Sequence, residues 1–402
     1  MPCDRQSSEI MFVIGTLSVG GSERHLASVA PALLARGWRV SVFSLSGDGP
    51  LRDELEKGGV IVLQSPVRRG QQRASVPARV ARFMLAAAAL LAAMIRRRPV
   101  IVHCFLPAAY ITGAPLAWLS RVPIRVMSRR SLNDYQGERG LFRFIERRLH
   151  PTMNAVLGNS LAVVRQLSAE GVSQEYLGLI YNGVLKNADG RSISRVAKRE
   201  QLGLATTTLV LVIVANLILY KGHADLIRAL ALASERMPPD WRLLIVGRDD
   251  GIQRDLEHQI EGAGLASQIS FLGSRQDVPA LFAAADIGLL VSHQEGFSNA
   301  VIEGMAAARP MIVTDVGGNA EAVSDGETGL VVPARNAEQL ALAIVRLSND
   351  PDLRAAFGEA GCRRVQNHFS FAGCIDSYDR LYRGLLRGDA PWQIEGIAVY
   401  KA

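Results

Sequence analysis

The chain has 402 residues, 49% hydrophobic and 21% charged, which is apolar material for two buried cores and excludes a disordered or low-complexity protein. Its formal charge of +7 is uneven: residues 1–190 carry 24 Lys+Arg against 13 Asp+Glu, and residues 191–402 carry 21 against 25. The basic half is expected to meet something anionic; aromatics are only 6% and are not interleaved with basic residues, so an anionic membrane surface or a phosphorylated acceptor is expected and nucleic acid is not.

The first apolar run, Ile10 to Leu17, leads into Gly20-Gly21 without a small-residue cleavage site, which predicts a buried strand and not a signal peptide. Starting with Met11–Thr16, short continuous β-branched runs recur at Val40–Leu45, Val60–Gln64, Val100–Phe105, Ile124–Ser128, Ala155–Gly158 and Leu179–Tyr181. They resume at Leu209–Asn216, Leu243–Gly247, Ile269–Gly273, Ile287–Ser292, Met311–Thr314 and Leu330–Pro333. Such runs, bounded by Gly, Pro and Asp, predict strands covered on both faces of a parallel sheet. Helical stretches lie between them, among them Ser22–Arg36, His223–Glu235, Asn299–Ala308 and Glu338–Leu347, with a last one from Phe371 to Leu386.

Strand–helix alternation predicts α/β structure: two doubly wound parallel-sheet Rossmann-like domains facing a central cleft. The alternation pauses after Val184, so the first domain is placed at 1–184, a linker at 185–205, a second domain at 206–370 and a terminal helix and tail at 371–402.

The most apolar stretch, Phe83 to Ile95, is alanine-rich and flanked by Arg82 and by Arg96-Arg97-Arg98. Thirteen helical residues span roughly 20 Å, short of the ~30 Å core of a bilayer. A core helix is expected there, with an interfacial segment wearing a basic collar as the alternative. The four cysteines, Cys3, Cys104, Cys362 and Cys374, show neither CxxC nor zinc spacing. Neither a disulfide framework nor a metal site is expected, in keeping with a reducing cytoplasm.

In open α/β sheets ligands bind at the carboxyl ends of the strands. Strand 287–292 ends in His293-Gln-Glu295-Gly, and a helix is expected to begin near Ser298, a favoured N-cap type. Backbone N–H groups around Asn299, Ala300 and Val301, just past Ser298, would form an anion site, with Glu295 in the loop and Glu303 inside the helix. Taken alone, two glutamates eight apart also fit a solvated loop and helix surface. Lys221-Gly222-His223 follows strand 209–216; the lysine can neutralise a phosphate, and the glycine can let backbone approach a ligand. Gly20-Gly21-Ser-Glu23 is neither GxGxxG nor a Walker loop: it is a helix-start turn, or a loop reaching phosphates. His103 lies inside a strand, where a lone histidine is more often a satisfied core residue.

Together these residues resemble the family 4 glycosyltransferases of GT-B fold over essentially the whole chain. Glu295-(seven residues)-Glu303-Gly-Met-Ala-Ala-Ala-Arg-Pro, Thr314-Asp-Val-Gly-Gly318 and Asp325-Gly-Glu-Thr-Gly-Leu330 look like that family's donor signature. Softer marks are Gly20-Gly21-Ser-Glu23, Val102-His103, Tyr181-Asn-Gly-Val184 and Phe271-Leu-Gly-Ser-Arg275. The resemblance implies a nucleoside-diphosphate-sugar donor, with catalytic roles for Glu295, Lys221 and His103. Glu295 would hold the donor sugar, Glu303 the ribose, and Lys221 the diphosphate with Gly20, Gly21 and the amides near Asn299. The segment around Gly273 would line the base and His103 the transferred sugar. It further implies retention of configuration, no metal or other cofactor, and a terminal helix that crosses back to an acceptor-binding first domain.

One departure concerns the second diphosphate cation: many members carry an arginine shortly before the lysine, whereas here Asn216 and Ile218 precede Lys221. Arg248 and Arg275 are the candidate substitutes. The D-x-D of metal-dependent transferases occurs as Asp350-Pro-Asp352, expected to cap a helix. Arg129-Arg130, Arg68-Arg69 and the alanine-rich stretch point to a lipid-linked, phosphorylated or polysaccharide acceptor and a peripheral contact with the cytoplasmic face of a membrane. Two other readings share the fold: a nucleotide-sugar epimerase, which would convert donor without acceptor, and a catalytically silent nucleotide-sugar-binding protein.

Overall fold

The computed structural model describes residues 8–47, 49–67, 75–132, 140–185 and 194–397. The chain divides into two compact units, with boundaries between Tyr181 and Asn182 and between Gly373 and Cys374. Arg68-Arg69, Cys3 and residues 186–193 of the expected linker lie outside the described residues.

The first unit runs β1 (Glu9–Ile14), α1 (Gly21–Leu34), β2 (Arg39–Ser44), α2 (Arg52–Lys57), β3 (Ile61–Gln64), α3 (Val76–Arg97) and β4 (Ile101–Phe105). It continues with α4 (Leu106–Leu119), β5 (Ile124–Arg129), α5 (Gly140–Leu149), β6 (Ala155–Gly158), α6 (Leu161–Ala169) and β7 (Leu177–Leu179). The strands pair in parallel in the order β3-β2-β1-β4-β5-β6-β7. All six residues of β1 are buried, as a central strand covered on both faces requires. Alternate residues serve the two faces: Met11, Val13, Val102 and Cys104 pack with Leu90, Met94 and Tyr110 of α3 and α4, whereas the rings of Phe12, His103 and Phe105 meet at tilted or edge-on angles on the other side. Right-handed crossovers place α3, α4 and α5 on one face of this sheet.

The second unit runs α7 (Arg195–Gln201), β8 (Leu209–Val214), α8 (His223–Ala233), β9 (Trp241–Val246), α9 (Gln253–Gly262), β10 (Ile269–Gly273) and α10 (Val278–Ala284). It continues with β11 (Ile287–Leu290), α11 (Asn299–Ala306), β12 (Met311–Thr314), α12 (Asn319–Ala322), β13 (Gly329–Val332), α13 (Ala337–Asn349) and α14 (Pro351–His368). Its parallel sheet has the order β10-β9-β8-β11-β12-β13, the doubly wound pattern whose direction of growth reverses between β8 and β11. A final helix, α15 (Phe371–Arg387), belongs from Cys374 onward to the first unit. There Trp38 donates its indole N–H to Asp379 at 2.7 Å, and His25 hydrogen-bonds Tyr378.

Each strand expected from the sequence is present, with ends moved by at most two residues. Three expectations need correction. Part of the assumed linker is helix α7, whose Arg199 is buried and donates to Ala284 O, Ala205 O, Thr208 O and Asp286 within the second unit. The apolar stretch is not a core helix: α3 runs 22 residues, is long and apolar enough to cross a membrane, and is largely exposed. Its arginines at 79 and 82 lie within the helix and do not end it. Finally, Arg129 is not an anion-binding surface group: it is fully buried, donating to Glu146 at 2.7 Å and Glu170 at 2.6 Å. Arg130 is buried too, its guanidinium 5.7 Å from the centre of the Phe105 ring.

Candidate functional site

Adjacent strands whose crossovers depart in opposite directions leave a crevice at their carboxyl ends. In the second unit those strands are β8 and β11, and the loops beyond them converge. Lys221, at the end of the β8–α8 loop, donates from Nζ to Oε1 of Glu295 in the β11–α11 loop at 2.5 Å. Ser292 donates its hydroxyl to the same oxygen at 2.7 Å.

Backbone packing forces this meeting. Gly222 has φ +73, and a Cβ there would lie 2.0 Å from the carbonyl oxygen of Val291. The glycine therefore lets the lysine loop press on the end of β11; its close approach is to this chain's own backbone, not to an open ligand space. His293 N–H donates to Tyr220 O at 2.7 Å and the His293 ring meets Asp225 of α8 at 2.6 Å, tying the loops a second time. From the other side, Gly317 has φ +54 and would place a Cβ 1.8 Å from Glu295 O, while Gly318 N–H donates to Gly296 O at 2.8 Å. Thr314 donates to Ser292 O at 2.5 Å. The Thr314-Asp-Val-Gly-Gly318 run is thus a backbone support for the glutamate loop.

Ser298 is the N-cap residue of α11, yet its side chain makes no capping bond. A helix leaves its first amides without intrahelical acceptors and its N-terminus partly positive. Asn299 and Ala300 open the helix. Glu303 follows Asn299 by four residues and shares its face, half-buried. The entry into this helix is held by Asn182, a buried amide donating to Phe297 O at 3.2 Å and Asn299 Oδ1 at 2.6 Å. Beside the lysine, His223 is buried and its pKa is lowered to about 4, by burial first and then by Lys221.

The two candidate cations differ. Arg275 donates twice to Asp277, at 2.8 and 2.7 Å, and Lys198 donates to the same carboxylate at 2.5 Å, which holds that acid well below the usual range. One carboxylate thus serves two cations, and Arg275 is held against Asp277 as Arg248 is against Asp250. Arg248 is exposed and paired with Asp250, and its backbone N–H donates to Asn216 Oδ1 at 3.2 Å. Asn216 therefore occupies the segment that lacks the family arginine and holds the backbone of Arg248 beside it. Gly273 ends β10 with φ +63, a conformation suited to glycine. Asp350 accepts from Leu353 N–H at 2.8 Å, so Asp350-Pro-Asp352 caps α14.

The remaining candidates lie in the first unit. Gly20 is the N-cap residue of α1 and accepts from Arg24 N–H at 2.9 Å, with Gly21 next: a helix-start turn after β1. His103 is not presented to a ligand. Its ring nitrogens bond Tyr382 Oη at 2.6 Å and Ser128 Oγ at 2.7 Å, and it is fully buried. Burial, and then Arg130, lower its pKa well below 6.5, so it is neutral at pH 7. Here the core-histidine alternative replaces the expected contact with the transferred sugar.

Reasoning from sequence missed Asn182 and Ser292 as site residues, although Asn182 lies in the Tyr181-Asn-Gly-Val184 mark. That mark also has a backbone reason: Val184 N–H donates to Phe369 O and Phe371 N–H to Val184 O, both at 2.9 Å, and a Cβ on Gly183 would meet Phe371 Cα at 2.6 Å.

Comparison with known proteins agrees with this architecture. The model for "Glycosyltransferase Family 4" matches residues 19–185, and that for "Glycosyl transferases group 1" matches residues 194–364. A D-inositol 3-phosphate glycosyltransferase of Corynebacterium aurimucosum is 34% identical over 200 residues, 48% of this chain and 47% of the relative. This chain thus spans about half the length of that relative. The Corynebacterium glutamicum protein of the same name is 25% identical over 93% of this chain and 94% of its own. Among solved structures, Anabaena Alr3699/HepE in complex with UDP and glucose superposes with a TM-score of 0.80 at 24% identity, covering 94% of this chain and 100% of that one. Two Rossmann-like units, the Glu295–Glu303 signature and two family models that follow one another along the sequence place the chain in the GT4 family of GT-B glycosyltransferases.

Proposed function

We propose that the protein moves a hexose from a nucleoside-diphosphate sugar to a glycan or lipid-linked acceptor, with retention of configuration and without a metal ion. The observation that carries this reading is the convergence of Lys221, Glu295 and the N-terminus of α11 at the switch point of the second sheet. Breaking the sugar–diphosphate bond leaves negative charge on the departing diphosphate while the sugar becomes oxocarbenium-like. An ammonium group and preorganised amides meet that charge as fixed donors, the role a divalent ion plays elsewhere. Glu295 accepts hydrogen bonds from sugar hydroxyls and Glu303 from the ribose. Arg248 supplies the second cation once Asp250 yields it.

The relatives support the acceptor class by their printed activities, which include D-inositol 3-phosphate glycosylation and mannosyl transfer in lipopolysaccharide core biosynthesis. A cytoplasmic enzyme in peripheral contact with the membrane fits such acceptors, and the basic first half supports the contact. The reading is tested by thermal shift against a panel of nucleotide sugars, then by diphosphate release from the best binder with and without EDTA. A ligand at a hundred times its Kd stabilises by about 2.7 kcal/mol. Tight binding with no release across acceptors would favour the silent binding protein, a reading to which Asn216 and Ile218 in place of an arginine lend weight.

A further inference from the structure

We infer that α3, α4 and α5 form a platform that seats the first unit on an anionic lipid bilayer. At ~1.5 Å per residue α3 is roughly 33 Å long. Val80, Met84, Ala88, Leu91 and Ile95 recur at intervals of four, four, three and four, which places them on one helix face. Met84 is 61% exposed and Ile95 58%. A different face of the same helix, carrying Ala86, Leu90 and Met94, is buried against the sheet. That anchoring excludes a spanning role, because crossing a bilayer would tear Leu90 and Met94 out of the core. The helix is held in the plane of the surface it presents.

The neighbouring helices extend the apolar face. α4 packs against both α3 and α5; it exposes Trp118 and Leu119, and α5 exposes Leu141 and Phe144. Isolated exposed apolar residues are ordinary, but a set shared by three adjacent helices marks an interaction surface. Its charge selects the occupant. The three helices carry seven arginines, of which Arg97 is bound to Glu9, and one acidic residue, Glu146, which is buried against Arg129. Arginine forks match headgroup phosphates, and an indole settles at headgroup depth. A second copy of the chain would bring the same basic surface against itself, which like charge opposes. The platform takes its class of partner from the peripheral contact proposed above but uses neither Lys221 nor Glu295, so it can fail while the donor reading stands.

The test is co-sedimentation of the full chain with phosphatidylcholine vesicles and with mixed phosphatidylcholine–phosphatidylglycerol vesicles, at salt from about 0.1 M to 0.5 M. The wild type is expected to partition at least about tenfold more strongly to the anionic vesicles, with the difference shrinking as salt rises. The double variant Met84→Ser with Ile95→Ser is expected to lose about tenfold in partitioning, since apolar insertion is removed, while its Tm and its diphosphate release stay those of the wild type. The variant Arg143→Gln with Arg147→Gln is expected to lose the preference for anionic vesicles. Equal partitioning of the wild type to both vesicles, no partitioning to either, or a Met84/Ile95 variant that binds like the wild type would overturn the inference. So would a dimer in sedimentation equilibrium that this variant dissolves.

Discussion

Lys221 Nζ lies 2.5 Å from Glu295 Oε1, although 74 residues separate them, because β8 and β11 are neighbours at the point where the sheet reverses its order. The pair is largely sheltered, and Ser292 gives Glu295 a second donor. Each member is therefore held where the other needs it, so their substitutions should not add. The variants Lys221→Ala, Glu295→Gln and the combination should show a coupling energy of about 0.5–3 kcal/mol in chemical denaturation. Strictly additive losses would mean that the contact carries no energy.

Gly222 and Gly317 permit the close backbone packing behind the same geometry. Gly222→Ala or Gly317→Ala puts a Cβ within 2.0 or 1.8 Å of a backbone oxygen at positive φ, and each should cost about 1–3 kcal/mol and most of the turnover. Gly262→Ala, at the end of α9 with nothing within 4 Å of the added carbon, should leave both unchanged. Thermal melts and diphosphate-release assays of the three variants read the contrast.

Asn182 sets the entry angle of α11 through two donated hydrogen bonds. Asn182→Ala leaves Phe297 O without that donor, a loss worth about 1–3 kcal/mol. The donor affinity should fall by roughly tenfold or more at 1.4 kcal/mol per decade, and Asn182→Asp, which cannot donate, should not restore it. Donor titrations of both variants by calorimetry check this; unchanged affinities would remove Asn182 from the site.

Three buried histidines make the fold acid-sensitive. His25, His103 and His223 all have pKa values lowered chiefly by burial, His223 to about 4 from 6.5. The unfolded chain binds more protons than the folded one below pH 6.5. The stability these neutral rings contribute is therefore complete above that pH and is lost as pH falls toward the folded values. At pH 5.5 this linkage destabilises the fold relative to pH 7.5, on the order of 1 kcal/mol for His223, and lowers Tm. Scanning calorimetry at the two values measures it, and His223→Gln should reduce the slope.

Much of this was legible in the sequence because parallel sheets write continuous apolar runs. The runs located the strands, and strand ends located Lys221 and Glu295. What local pattern could not supply was the identity of distant partners. His103 looks like a site residue until Tyr382, 279 residues away, accounts for its ring. Asn182 looks like a turn residue until Phe297 appears 115 positions on. Composition marked Phe83–Ile95 as apolar but could not say which face the sheet would cover; it covers the stripe of Leu90 and Met94 and leaves Met84 and Ile95 exposed. The Arg275–Asp277 pairing was within reach, since two residues of opposite charge stand two apart.

The central claim is that Lys221 and the first amides of α11 hold the departing diphosphate without a divalent ion. Its most direct test compares the best-binding nucleoside diphosphate with its parent nucleoside in calorimetric titrations, in EDTA, for the wild type and Lys221→Ala. The account predicts that the wild type binds the diphosphate far more tightly than the nucleoside, that EDTA leaves this preference intact, and that Lys221→Ala erases most of it while nucleoside affinity is unchanged. A preference that needs a divalent ion, or that survives intact in Lys221→Ala, would contradict it.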